Sequence, residues 1–594
     1  MNFRPLSLAP LRSLLSMRRL ALGVAVGVPS GLAACLFYLA VEWGGSFLLR
    51  GLAGLDLPAP GGERLFHTAL GSWRPWLVPL FTAAAGLLTG FLVERFIPET
   101  IGGGTDGTDA MIKAFHRQDG VIRPRAFLIR GLTSILTLAT GGSAGREGPI
   151  SQVGAGIGSW LAQRLGLSAR ERRMLLLAGA AGGLGAIFRA PLGGAITAIE
   201  VVYREDFESE AILPAIFSSV TASSIFTFFF GNDPILDLPA FVFRDVRELA
   251  FYGLLAVVCS AGGWLYVRAF YGIKYSVFFR VKAARGLMWT AGLGGLCTGL
   301  LGLALPQVLS GGYGWLELAV AGQISALMMA VIVVAKTLAT SLTIGSGMSG
   351  GMFAPALFVG GMCGGLAGKI GHELAPDIVT QPGGYVLVGM AAFFAGVGKA
   401  PIGPLIMVCE LTRGYGLLAP LMLASALCIT LCRRVSLYEN QVDTKFDSPT
   451  HAEDATINVL EDLRVADHFE PGPVVTLPRD TALGELKDIF ARTTERFFPV
   501  VDGQGRMTGI LSVHGARQVL FEEGLYALLL AQDLAGKPAS LTPDDDLYTA
   551  LLRFVDTGYG QIPVVSAENP RKILGVIERD NVFKAYARMV RQGA

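Results

Sequence analysis

The sequence predicts an α-helical polytopic membrane protein with two inverted repeats of broken, tilted helices, followed by a soluble α/β doublet. Composition is the first reason. Of 594 residues, 52% are hydrophobic and 16% charged, whereas soluble domains carry about 25% charged residues. Segment length is the second: up to Arg434 apolar stretches alternate with short loops, and several are too short for a bilayer that needs roughly 20 residues per helix. Internal repetition is the third. Short, Gly/Pro-interrupted segments in corresponding places of two halves mark inverted-repeat transport folds.

Arg4, Arg12, Arg18 and Arg19 precede an apolar run over 20–49. That run is too long for a signal-peptide core, so it reads as a retained first helix, and its basic flank places the N-terminus in the cytoplasm. Residues 249–270 and 316–335 are long enough to span, whereas 150–165, 174–188 and 191–202 are not. The repeat is visible in RAPLGGAITAIE at 189–200 and KAPIGPLIMVCE at 399–410, where Pro191 and Pro401 are 210 apart. GPISQVGAGIG at 148–158 likewise matches APALFVGGMCG at 354–364 at an offset of 206, which also pairs Arg130 with Lys336. Three landmarks in near-constant register make two related halves.

Two apolar segments break into glycine-rich loops and restart at a proline: GGSAGREGP at 141–149 and GSGMSGGMFAP at 345–355. At membrane depth, unpaired backbone N–H groups are tolerated only where they line a cavity or bind something. Each break opens a helix whose first amides and positive dipole end attract an anion. Glu147 stands in the first. A carboxylate among helix N-termini can occupy an anion site, block it, and leave on protonation or displacement; the plain alternative is an ion pair with Arg146 or another buried base.

The region 440–462 is polar and acidic and reads as a linker. Beyond it Asp467 pairs with Asp533, Pro478 with Pro543, FPVVD at 498–502 with IPVVS at 562–566, and GILSV at 509–513 with GVIER at 575–579. Each unit contains a short apolar strand, a helix, two β-branched strands around a Gly turn, and a closing helix. The seven cysteines lie in apolar stretches without metal or disulfide-framework spacing and read as small core residues. The six histidines have no metal spacing and are expected to be solvated. No basic stripe with interleaved aromatics points to nucleic acid, and no H-E-x-x-H or P-loop points to an enzyme.

GREGP at 145–149, GGMFAP at 350–355, the RAPLGG/KAPIGP repeat and Tyr438, in this order and spacing, resemble the CLC chloride channels and transporters over roughly residues 20–440. The C-terminal doublet resembles a pair of CBS domains. The resemblance implies a homodimer with one pore per subunit, an inner-membrane location and a cytoplasmic tail. It divides the chain into a membrane domain (1–445), a linker (446–464) and two CBS domains (465–525 and 526–594). It also implies that the amides of Met352 and Phe353 hold a central chloride with the Tyr438 hydroxyl, that Arg146, Gly148 and Ala354 line an outer site, and that Glu147 is the gate.

Two departures bear on function. The family pattern Gly-Ser-Gly-Ile-Pro is here Gly102-Gly103-Gly104-Thr105-Asp106. Gly103 lacks the serine hydroxyl, so either its amide serves the anion or Thr105 supplies the donor. Asp106 at the helix start reads as a cap or as the first helical residue, satisfying amides and offsetting the dipole; the alternative is a glycine-rich turn plus a cap with no further role. In exchangers of the family an inner glutamate follows the position of Glu200, whereas here it is Val201, which cannot carry a proton. That favours a glutamate-gated passive channel, with a proton-coupled chloride antiporter as the alternative. Arg130 and Lys336, charges within apolar segments, read either as electrostatic attractors of anions or as structural ion pairs. Glu200 and Glu410 sit at equivalent repeat positions and read as groups that cap packing or make hydrogen bonds, the alternative being a part in transport. Asp580 stands where CBS domains often bind the ribose of an adenine nucleotide; His514-Gly515 replaces it in the first unit, so at most one half is competent.

Overall fold

A computed structural model describes residues 9–62, 65–66, 69–101, 106–451, 460, 463–493 and 495–592. The chain divides into two units, Met1–Thr450 and His451–Ala594.

The first unit is helical. Among the described residues, seven helical segments are long and apolar enough to cross a bilayer, including Met17–Leu52, Leu77–Phe96, Glu248–Arg285 and Phe353–Leu374. Large apolar side chains such as Leu36, Trp43, Leu80, Leu254 and Trp264 project outward from them, a surface that only lipid tails or another apolar face would cover. The chain is a multi-pass membrane protein. The sequence-predicted span over 316–335 is not one helix. The chain turns between Tyr313–Val320 and Ala326–Thr343, because Gly322 takes a positive φ of 74° and the Ser325 side chain caps the next helix by accepting from the Met328 amide.

The repeat seen in the sequence is a two-fold relation in space. Gly145 and Gly351, 206 residues apart, exchange a reciprocal pair of backbone hydrogen bonds: Gly145 N–H to Gly351 O at 2.7 Å and Gly351 N–H to Gly145 O at 2.9 Å. The helices Pro191–Glu200 and Ile402–Thr412 repeat this reciprocity at the 210 offset. Glu200 accepts from the amides of Ile402 and Gly403, and Glu410 from those of Leu192 and Gly193. A Cβ on Gly193 would come within 2.7 Å of the Met407 Cα, and one on Gly403 within 2.6 Å of the Thr197 Cα. Residue i touching j′ while j touches i′ is the signature of a two-fold axis. Each glutamate thus caps the helix of the other half, where its charge meets two free amides and the positive end of a dipole.

Among the described residues, the second unit contains two three-stranded sheets. One holds β2 (Leu477–Pro478), β3 (Phe497–Val501) and β4 (Met507–Ser512); the other holds β1 (Glu470–Pro471), β6 (Ile573–Glu578) and β5 (Gln561–Val565). The duplication shows in the register: β3–β4 and β5–β6 are both antiparallel, with irregularities at Val500/Val501 and Val564/Val565, 64 residues apart. β1, although first in the chain, pairs with β6 of the second repeat, so the two repeats fold as one unit. The closing helices differ: Arg579–Gln592 in the second repeat, but only Val513–Ala516 in the first, which contains Gly515.

All seven cysteines are unpaired, and six of them are buried. His116, expected to be solvated, is instead buried, its ring nitrogens hydrogen-bonded to the Ser448 hydroxyl at 2.7 Å and the Val202 carbonyl at 2.8 Å. Both partners lie far along the chain, which is why no local pattern signalled them.

Candidate functional site

Around the Gly145–Gly351 bridge the two broken helices begin. The first is Glu147–Arg164 and the second Phe353–Leu374. Their first helical backbone bonds are Ile150 N–H to Arg146 O and Ala356 N–H to Met352 O. Proline at 149 and 355 has no N–H, so the amides of Glu147, Gly148, Phe353 and Ala354 precede any helical acceptor. Small residues allow this approach: a Cβ on Gly351 would fall 2.6 Å from Gly148 N, and one on Gly350 2.4 Å from Ala144 Cβ. The two loops therefore share one buried locus, facing each other rather than lipid.

Glu147 is 1% exposed at the start of its helix. Its Oε1 accepts the Tyr313 hydroxyl at 2.7 Å, and its Oε2 makes no hydrogen bond of good geometry among the described residues. A Cβ on Gly145 would lie 2.0 Å from that Oε2 and 3.0 Å from the Ala354 amide nitrogen, so carboxylate and amide are close neighbours. Arg146, also buried, places its guanidinium over the rings of Tyr38 and Tyr313 at 5.5 and 5.4 Å, where cation–π attraction compensates part of its lost hydration.

The Met352 amide, expected to face a permeating anion, donates instead to Asp106 Oδ2 at 2.8 Å. The other oxygen, Oδ1, accepts from the Asp109 amide at 2.9 Å and caps the helix Gly107–Arg117. The sequence indicated the cap; that the same carboxylate also satisfies an amide of the other half was not legible. The Tyr438 hydroxyl is fully buried and makes no hydrogen bond of good geometry, with Thr108, Asp106, Asp109 and Tyr266 among the polar groups around it. Gly103, with Gly102, Gly104 and Thr105, lies outside the described residues.

Arg130 lines a cavity of about 350 Å³ together with Asp106, Lys113, Pro149 and Gln152. Its guanidinium donates to the hydroxyls of Thr100 and Ser349. Lys336, its repeat mate, behaves differently: it is wholly buried, donates to the carbonyls of Val308 and Ser310 at 2.9 and 2.5 Å, and lies 5.1 Å from the Phe358 ring centroid. Of the two charges, only Arg130 faces the cavity. Val201 is buried, its carbonyl accepting from Gln441 Nε2 at 2.7 Å. In the second unit Asp580 is exposed near the start of the helix Arg579–Gln592.

Sequence reasoning missed Tyr313, which holds the carboxylate, and Tyr266, whose fully buried hydroxyl makes no hydrogen bond of good geometry among the described residues. Neither lies in a recognisable motif, and both come from helices distant in the chain.

A two-fold helical bundle with converging helix starts, a buried carboxylate between them and a duplicated α/β tail define the CLC class of membrane transport proteins. Residues 85–433 match the voltage gated chloride channel family, and residues 467–522 and 531–588 each match the CBS domain. The chain belongs to the voltage gated chloride channel (CLC) family. It is 31% identical over 430 residues to the H(+)/Cl(-) exchange transporter ClcA of Cronobacter sakazakii, an alignment covering 70% of this chain and 87% of that protein. Its fold is similar to that of a slow cyanobacterial Cl-/H+ antiporter (TM-score 0.61, 23% identity, covering 70% of this chain and 94% of the other). It is also similar to that of a eukaryotic CLC transporter (TM-score 0.57, 19% identity, 96% and 98%).

Proposed function

We propose that this protein moves chloride across the membrane in exchange for protons, with Glu147 as gate and outer proton carrier. One observation carries the reading: the reciprocal Gly145–Gly351 bridge draws two helix starts together beside the Glu147 carboxylate. The amides of Gly148, Phe353 and Ala354 then face a locus where a small anion replaces hydration with main-chain donors. Glu147 competes for that place while ionised and leaves it when protonated, so anion entry and proton uptake exclude each other there. The passive-channel reading drawn from Val201 gives way to exchange: the relatives 31% and 30% identical in Cronobacter sakazakii and Vibrio cholerae are named H(+)/Cl(-) exchange transporters, against one 33% identical in Ralstonia nicotianae named a putative chloride channel protein, and Val201 removes only one of the groups able to carry a proton.

Met352, Phe353 and Tyr438 form the central anion position; Arg146, Gly148 and Ala354 line the outer one. Arg130 raises local anion concentration at the cavity mouth, and Lys336 is a structural tie. The assembly is a homodimer in the inner membrane with the CBS tail cytoplasmic, and the membrane domain ends near residue 445. Asp580 is the candidate ribose contact for an adenine nucleotide; titration of the full chain with AMP, before and after Asp580→Ala, tests it.

The deciding experiment reconstitutes the full chain in liposomes under a chloride gradient and records chloride and proton movement together. Protons moving uphill against chloride support exchange, and Glu147→Gln should retain chloride flux but lose proton movement and pH dependence. Chloride flux without proton movement in the unmodified protein would restore the channel reading.

A further inference from the structure

Val201 stands where an exchanger of this family would carry an inner acid, so a proton needs another carrier in this chain. The geometry points to Asp106: its carboxylate is a second tethered anion, seated in the central anion position and exchanging there with the transported ion. The inference rests on the anion pathway proposed above and deepens it.

Asp106 Oδ2 holds the Met352 amide, one of the two main-chain donors assigned to the central position. Two fully buried hydroxyls from different elements, Tyr438 and Tyr266, make no hydrogen bond of good geometry, and Asp106 is among the polar groups around both. Hydroxyls this weakly partnered, with Thr108 beside one and Thr340 beside the other, are groups that a bound anion or a water would satisfy. Asp106 also reaches the cavity of about 350 Å³, so water and ions on that side meet it directly.

Two carboxylates thus lie along the short strip 351–354, Asp106 on the Met352 amide and Glu147 near the Ala354 nitrogen. Gly148 separates them; a Cβ there would be 3.3 Å from Asp106 Oδ2.

The charges that face Asp106 come from several elements. Asp109 and Lys113 share its helix, Glu99 precedes it, Arg123 and Arg130 come from the next helix and its approach, and Glu147 stands across Gly148. Lys336 is turned away onto two carbonyls. While ionised, Asp106 excludes an anion from the amide it occupies, because two like charges at one donor repel. When it takes a proton from hydronium in the cavity, an O–H bond forms on Asp106 and one breaks on hydronium. The neutral carboxyl then yields the Met352 amide to chloride, and returns its proton to cavity water when it reclaims the amide.

The test is equilibrium chloride binding to the detergent-purified full chain by titration calorimetry, in a Glu147→Gln background that silences the other carboxylate. Asp106→Asn and Asp106→Ser both retain an oxygen for the Asp109 amide, so the helix start is preserved. At neutral pH each should bind chloride at least about tenfold more tightly than the background protein, since a competing charge is gone. The background protein should gain affinity on acidification, whereas both variants should lose that gain. Unchanged affinity at neutral pH in both variants overturns the inference, as does pH-dependent affinity of the same size with and without Asp106. Because the readout is binding, failure of proton exchange in liposomes would remove the exchanger reading without producing either result.

Discussion

Tyr313→Phe isolates the hold on the gate. The mutation removes one oxygen and leaves the ring, on which the Arg146 guanidinium rests at 5.4 Å. The lost bond is the 2.7 Å contact to Glu147 Oε1, and Oε2 makes no hydrogen bond of good geometry among the described residues to take over. Hydrogen bonds to charged groups contribute about 1.5–3 kcal/mol, which converts to roughly a 10- to 150-fold change in occupancy. Glu147 competes with the anion for the amides near Ala354, so apparent chloride affinity at neutral pH should tighten by a factor in that range, measured by titration calorimetry. The same substitution in a Glu147→Gln background should have little effect, because the charged acceptor is already gone. That double-mutant cycle assigns the energy to the pair. Equal shifts in both backgrounds, or none in either, would refute the claim that Tyr313 acts by holding the carboxylate.

Gly351→Ala drives a Cβ to 2.6 Å from Gly148 N and 3.1 Å from Gly145 O. It should cost roughly 2–5 kcal/mol through overpacking and two lost backbone bonds, read as a lower unfolding midpoint in detergent together with lost chloride flux. Glu200→Ala and Glu410→Ala each strand two amides at the partner helix start. Each should destabilise by about 1–3 kcal/mol, and similar drops in unfolding midpoint would express the two-fold relation. A large drop for one and none for the other would show that the caps are not equivalent.

Much of this was legible in the sequence because it is written in local chemistry. Proline after a glycine-rich break fixes where a helix restarts and which amides precede its ladder, so the helix starts near 147–149 and 353–355 could be marked from the chain alone. The offsets of 206 and 210 carried the symmetry and paired Glu200 with Glu410 as packing or hydrogen-bonding groups, whereas the amides each one caps came only from the structure. The break inside 316–335 was missed because hydropathy does not register a Gly–Ser turn. The burial of His116 was missed because its partners are Val202 and Ser448.

The sequence by itself determined the two halves, the broken helices and the acidic residue between them, since repeat spacing, glycine, proline and charge act over a few residues. Only the tertiary structure decided which donor meets which acceptor across the two-fold: Gly145 with Gly351, Tyr313 with Glu147, Asp106 with Met352. Those pairs join residues 166 or more positions apart in the chain. A hydrogen bond depends on tenths of an ångström and on direction, which are fixed by packing of whole helices and by no motif either partner carries.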